Sequence, residues 1–148
     1  MDSGQAEARD PRICDPVSHA ELRRRWAAAR AAMAAPGIDA LIVQGSNSAS
    51  GGGYFRWFTG MSAGVANPNT VIVPPDGLMT LVCHGNEGGE TNLGGRDPAF
   101  PGIGRRLTVP SFPMAFYTSR FDPEAVAQEI KKAGFRTVGL VEIGRAHV

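Results

Sequence analysis

The chain has 148 residues, 43% of them hydrophobic and 20% charged, with a formal net charge of +1. That is the size of one domain with its own core, and the charge balance excludes a strongly basic surface for nucleic acid or membrane. Cys14 and Cys83 are too few and too far apart for a disulfide framework or a zinc signature, so a reduced, cytoplasmic chain is expected.

Residues 1–17 read as a flexible leader of charged, small and proline residues, with no apolar secretory stretch. No segment of the chain is long enough to span a bilayer. Order is expected from Ser18. Ser18-His19-Ala20-Glu21 has the form of a capping box, in which serine meets a free backbone N–H and glutamate reaches back. Leu22, Trp26, Ala29 and Met33 follow at helical spacing on one face, with Arg23, Arg24, Arg25 and Arg30 mostly off it. His19, in the first turn, is expected to face water. Pro36-Gly37 ends the helix.

Residues 38–43 are short, apolar and β-branched, the pattern of a largely buried strand. A Gly/Ser/Asn loop follows over 44–53. Residues 54–60, Tyr-Phe-Arg-Trp-Phe-Thr-Gly, form a dense aromatic cluster read as a short helix or turn ending at Gly60. Residues 70–73 and 78–83 are two strands joined by Pro74-Pro75-Asp76-Gly77, the clearest hairpin in the chain. The stretch 84–105 is ambiguous, with room for one irregular helical turn. Residues 106–109 read as a short edge strand stopped by Pro110. Asp122-Pro123-Glu124 opens a helix with aspartate as cap, Val126 and Ile130 as inward face and Gly134 as end. Residues 137–141 are the last strand. The plan "helix end, glycine, buried strand" occurs at 33–43 and again at 130–141, which points to parallel pairing of those strands in a mixed sheet.

Few residues here have the spacing of a catalytic site. Gly51-Gly52-Gly53 lacks the Lys and Ser/Thr of a phosphate loop and reads as a flexible loop. Cys83, His84, Glu87 and Glu90 are expected in a solvated loop rather than around a metal. No Gly-x-Ser-x-Gly, His-Glu-x-x-His or Cys-x-x-Cys pattern is present. The aromatic cluster is the strongest functional candidate: it could face a partner or ligand, with Arg56 taking a carboxylate. The alternative is that Trp57 and Phe58 pack under the sheet. Arg56 cannot be buried comfortably without a partner.

Three stations in order resemble the N-terminal domain of the creatinase/prolidase family. They are the helix 21–33 followed by Gly37-Ile-Asp-Ala-Leu-Ile-Val43, the aromatic Tyr54-Phe-Arg-Trp-Phe-Thr-Gly60, and the hairpin 70–82. The resemblance covers residues 18–142. It implies an α/β fold of the ribonuclease H-like creatinase N-terminal type, a mixed and mostly parallel sheet with flanking helices. It also implies a following pita-bread catalytic domain, absent here, which binds two divalent metal ions (Mn, Co or Zn) through two aspartates, one histidine and two glutamates. That domain cleaves Xaa-Pro or related C–N bonds with a metal-activated water. The N-terminal domain itself holds no metal ligand and no catalytic residue. It is implied to make homodimer contacts and to gate substrate, with Tyr54, Arg56, Trp57 and Asn67 as the residues placed to do so. The family's creatinases grip a substrate carboxylate through a phenylalanine and an arginine in the next loop. Here that loop is Val65-Ala66-Asn67-Pro68 and offers neither, so a peptidase or other amidohydrolase is expected over a creatine hydrolase. Two other readings are a peptide- or protein-binding module of the same fold, and an independent α/β domain binding an anion at the glycine run. Ile143-Gly-Arg-Ala-His-Val148 is what an in-frame sequencing adapter encodes, so 143–148 are read as read-through and left out of the fold.

Overall fold

The computed structural model describes residues 17–45, 53–61, 68–111 and 120–141. Residues 1–16 of the leader, Asn67 and the 143–148 tail lie outside them, as do Gly51 and Gly52. The elements are α1 (His19–Ala34), β1 (Ala40–Gly45), α2 (Gly53–Thr59), β2 (Asn69–Val73), β3 (Met79–His84), β4 (Gly89–Asn92), β5 (Ile103–Val109), α3 (Phe121–Ala133) and β6 (Val138–Val141).

The strands form one six-stranded sheet in the order β4-β5-β3-β2-β1-β6. The repeated helix–glycine–strand plan is confirmed directly: β1 and β6 lie side by side and parallel, Ala40 opposite Val138 and Val43 opposite Val141. The hairpin at 70–83 is also present, with β2 antiparallel to β3. The sheet is mixed, but not mostly parallel. β1–β2, β2–β3 and β4–β5 are antiparallel, whereas only β1–β6 and β3–β5 are parallel. The extra antiparallel pair comes from β4, in the stretch whose glycines hid any period. β4 also displaces β5 from the edge: the strand read as 106–109 begins at Ile103 and runs between β3 and β4.

Alternation along the strands builds two cores. Val43, Val71, Val73, Met79, Leu81 and Ile103 face α2, whose Phe55 and Phe58 join them, with Trp26 and Ala29 of α1 packed alongside. Ala40, Ile72 and Val82 face the other way, onto Val126 of α3. The sheet is thus sandwiched between α1 and α2 on one face and α3 on the other. The apolar stripe on α1 sits where its spacing puts it: Leu22 and Met33 are buried.

Both helix starts differ in detail from the sequence reading. Ser18 Oγ accepts the Glu21 N–H at 3.2 Å, as a cap should. Glu21 does not reach back, because two cations claim it: Arg24 Nε lies 2.7 Å and Arg25 Nε 2.9 Å from its carboxylate. These pairs lower the Glu21 pKa to about 2, chiefly through the Arg24 hydrogen bond. His19 is half-buried rather than turned to water. In α3 the N-cap is Arg120, with no side-chain cap bond, and Asp122 is not a cap at all. It is 7% exposed and turns inward to the sheet. Thr70 Oγ1 donates to its Oδ2 at 3.0 Å, and Gln44 Nε2 approaches the same oxygen at 3.4 Å.

Candidate functional site

The aromatic cluster forms α2, and its seven residues divide by helical spacing. Phe55, Phe58 and Thr59, at i, i+3 and i+4, are buried. Tyr54, Arg56 and Trp57 fall on the opposite side and are exposed, Tyr54 at 43% and Trp57 at 36%. Half of the core-packing alternative therefore holds: Phe58 lies under the helix against the sheet, and Trp57 does not.

A seven-residue helix cannot hold itself together. Its C-terminal carbonyls are met from α1 instead. Trp26 Nε1 donates to the Phe58 carbonyl at 2.6 Å, and Arg25 Nη1 donates to the Trp57 carbonyl at 3.2 Å. A cation and an indole N–H thus sit at the negative end of the helix, where both are favourable. Arg25 also lies over the Trp57 ring, 5.6 Å from its centroid, and Phe58 meets Trp57 edge-on at 4.7 Å. Thr59 Oγ1 donates to the Phe55 carbonyl at 2.7 Å and accepts the Met61 N–H at 3.1 Å. Gly60 then takes φ +69, a conformation that strains any residue with a Cβ, and turns the chain against Leu22.

The outcome is a short, braced platform carrying two exposed aromatic rings and an exposed arginine. Trp57 is held by Phe58 below and Arg25 beside it. Such a surface suits recognition: rigid aromatic area at small entropic cost, flanked by guanidinium donors. It carries no nucleophile or general base. Among the described residues no group of three or more His, Cys, Asp or Glu is placed to hold a metal ion. The knot read as a solvated loop is instead divided between two strands: Cys83 and His84 close β3, and Glu90 lies in β4, paired with Arg105 at 2.9 Å. Among the described residues no helix is long and apolar enough to cross a membrane.

Two residues, one at the site and one in the sheet, escaped sequence reasoning. Arg25 was one of three successive arginines, and only the packing of α1 against α2 distinguishes it. Asp39, in the Gly-Ile-Asp-Ala station, has a structural task. Its Oδ2 accepts the N–H groups of Arg136 and Thr137 at 2.7 and 2.8 Å, and its own N–H donates to the Thr137 carbonyl at 2.7 Å. It clasps the start of β6 to β1, and these hydrogen bonds lower its pKa.

These features define a three-layer α/β domain with a mixed sheet and a platform helix between its first two strands. The same fold occurs in a crystal structure of an Xaa-Pro aminopeptidase from Streptococcus pyogenes, with TM-score 0.52 and 21% identity, covering 83% of this chain and 75% of that one. Looser superpositions are found with the N-terminal creatinase/prolidase-like domain of a Corynebacterium diphtheriae protein (TM-score 0.43, 18% identity, 84% of this chain and 96% of that one). Dipeptidase PepE from Mycobacterium ulcerans matches at TM-score 0.36 and 24% identity, over 45% of this chain and 17% of that one. No family model matches the sequence, and no curated protein does. At 21% identity the likeness to the aminopeptidase establishes the fold.

Proposed function

We propose that this chain is the non-catalytic N-terminal domain of a metal-dependent Xaa-Pro peptidase or related C–N hydrolase, and that α2 presents Tyr54, Arg56 and Trp57 to a neighbouring subunit and its substrate. One observation carries the reading: α2 buries Phe55 and Phe58 but leaves a braced Trp57 and Tyr54 in solvent beside Arg56. Burying large aromatics is favourable by about 1.5–3 kcal/mol each, so a chain that merely needed a core would gain by turning them inward. The catalytic domain, its two divalent metal ions (Mn, Co or Zn), the homodimer and a cytoplasmic location belong to this proposal. Asn67, in the sequence between α2 and β2, belongs to the proposal as a fourth contact residue.

The test is to obtain the natural gene that encodes this chain, express its full product and assay Xaa-Pro dipeptides with each metal. Metal-dependent hydrolysis is the expected result. Arg56→Ala should raise KM or loosen the dimer while leaving the melting temperature of the present chain nearly unchanged, and Trp57→Ala should do the same with a modest drop in melting temperature, because it also removes the Phe58 and Arg25 contacts. A full product lacking the Asp, Asp, His, Glu, Glu ligand set sinks the catalytic parent, and peptide binding without cleavage moves the assignment to a binding module. Variants with parental KM and oligomeric state remove α2 from the account.

A further inference from the structure

Arg105 and Arg106 are neighbours in β5 and project to opposite faces of the sheet. Arg105 lies among carboxylates. Its Nε is 2.9 Å from Glu90 Oε1 and its Nη2 is 2.9 Å from Glu129 Oε2. Neither N–H is aligned for a hydrogen bond, so the contact is an ion pair. Arg106 has no such company. In register it stands beside Leu81 of β3 and Thr91 of β4. Its guanidinium carbon lies 5.7 Å from the centroid of the Phe100 ring. Its Nε is shut off from solvent and donates to nothing.

The described residues offer it little. Among the described residues no carboxylate pairs with Arg106. The internal segments outside them, 46–52, 62–67 and 112–119, contain no aspartate or glutamate; the acidic residues outside the described ones are Asp2, Glu7, Asp10 and Asp15 of the leader and Glu142. A half-buried cation with no carboxylate beside it is costly, and an oxyanion that reaches its guanidinium relieves that cost. The surroundings define that oxyanion further. Phe100, Leu81 and Cys83 all belong to the apolar cluster on this face, so the ligand's body meets hydrocarbon and a thiol. The planar fork of a guanidinium matches a carboxylate.

We infer that Arg106, stacked on Phe100 and flanked by Thr91 and Cys83, is a binding site for a small carboxylate ligand with an apolar body. The site shares no residue with the α2 platform and stands or falls separately from it.

Cys83 is a built-in reporter. It is a free, half-buried thiol one strand over, opposite Thr108. Burial pushes its pKa up, with Arg106 acting in the opposite direction. Iodoacetate and iodoacetamide both need the thiolate, so the ratio of their rates isolates the effect of reagent charge. In the full chain, that ratio should be several-fold higher at Cys83 than at Cys14, measured in the same digest. Arg106→Gln should bring it down to the Cys14 value. Benzoate should protect Cys83 saturably and benzamide should not. Equal ratios at the two cysteines, or benzoate protection that survives Arg106→Gln, overturns the site. Protection by inorganic phosphate equal to that by benzoate overturns the apolar part of the assignment. If Arg106→Gln does not fold, the Arg106 Nε–H resonance of the parent chain decides. A saturable shift with benzoate at constant ionic strength supports the site, and a shift that chloride reproduces refutes it.

Discussion

Two aspartates in this domain have their pKa values displaced in opposite directions, and each displacement can be measured. Asp122 is buried against neutral partners, and burial raises its pKa. A carboxyl whose folded pKa is raised favours the fold most below its unfolded value, about 3.9, and that contribution is lost as pH rises through the folded value. Asp122→Asn keeps the shape and the Thr70 hydrogen bond while removing the charge. Thermal unfolding should show the Asp122→Asn variant as stable as the parent or more so at neutral pH, with the difference vanishing in acid; a less stable variant at neutral pH contradicts the account. Asp122→Ala leaves Thr70 and Gln44 without their acceptor and should cost about 1–3 kcal/mol. Asp39 carries the opposite sign. Backbone N–H groups lower its pKa, so its contribution is present above the ordinary aspartate value and is lost as pH falls. Asp39→Ala should speed amide exchange in β6 far more than in β2, and uniform exchange across the sheet would deny it the clasp. Neither role was legible from residue type: aspartate before proline reads as a cap, and only the tertiary position of Thr70 and Gln44 turns Asp122 inward.

At the scale of elements, the sequence was most informative where period and punctuation agree. α1, the 70–83 hairpin and the helix–glycine–strand repeat have an apolar period bounded by a cap, Asp-Gly or glycine, and each forms where that pattern puts it. β4 and the first half of β5 were illegible because glycines and charged side chains carry no period. Their pairing is fixed by ladder hydrogen bonds and by Arg105 between Glu90 and Glu129. The exposed side of α2 was only half legible, since a seven-residue aromatic run does not say which rings go in. What orders α2 is α1, and that dependence is testable. Trp26→Phe removes the donor to the Phe58 carbonyl together with the outer indole ring that packs beside Gly102, and should cost more than about 1 kcal/mol. Gly102→Ala attacks the same indole from the other side. Gly102 has φ +72, and a Cβ there would lie 2.5 Å from Trp26 Cη2, so this variant should lose more than about 1 kcal/mol. Denaturant midpoints of the two single variants and the double variant give the coupling. Strict additivity would mean that Gly102 and the indole do not act through a shared contact.

For the whole molecule, the order of the strands leaves one edge with little protection. β6 pairs with β1 on one side and with no described strand on the other. Its residues, Val-Gly-Leu-Val, include no charge and no proline. Leu140 is 71% exposed and Val138 38%, on the same face of the strand. α3 covers the β2–β3–β5 part of that face, so the apolar strip at β6 is left open. A short strand limits the danger, but an uncharged edge with an exposed leucine is a template for pairing with another chain. The present chain should therefore associate as its concentration rises. Leu140→Lys places a charge on the strip without touching the buried core, so it should suppress association and leave the unfolding free energy of dilute protein within about 0.5 kcal/mol of the parent. Sedimentation velocity over a concentration series separates the outcomes. If both proteins stay monomeric throughout, the β6 edge is harmless. If both associate equally, the contact lies elsewhere, and the exposed Tyr54–Trp57 platform is the next surface to substitute.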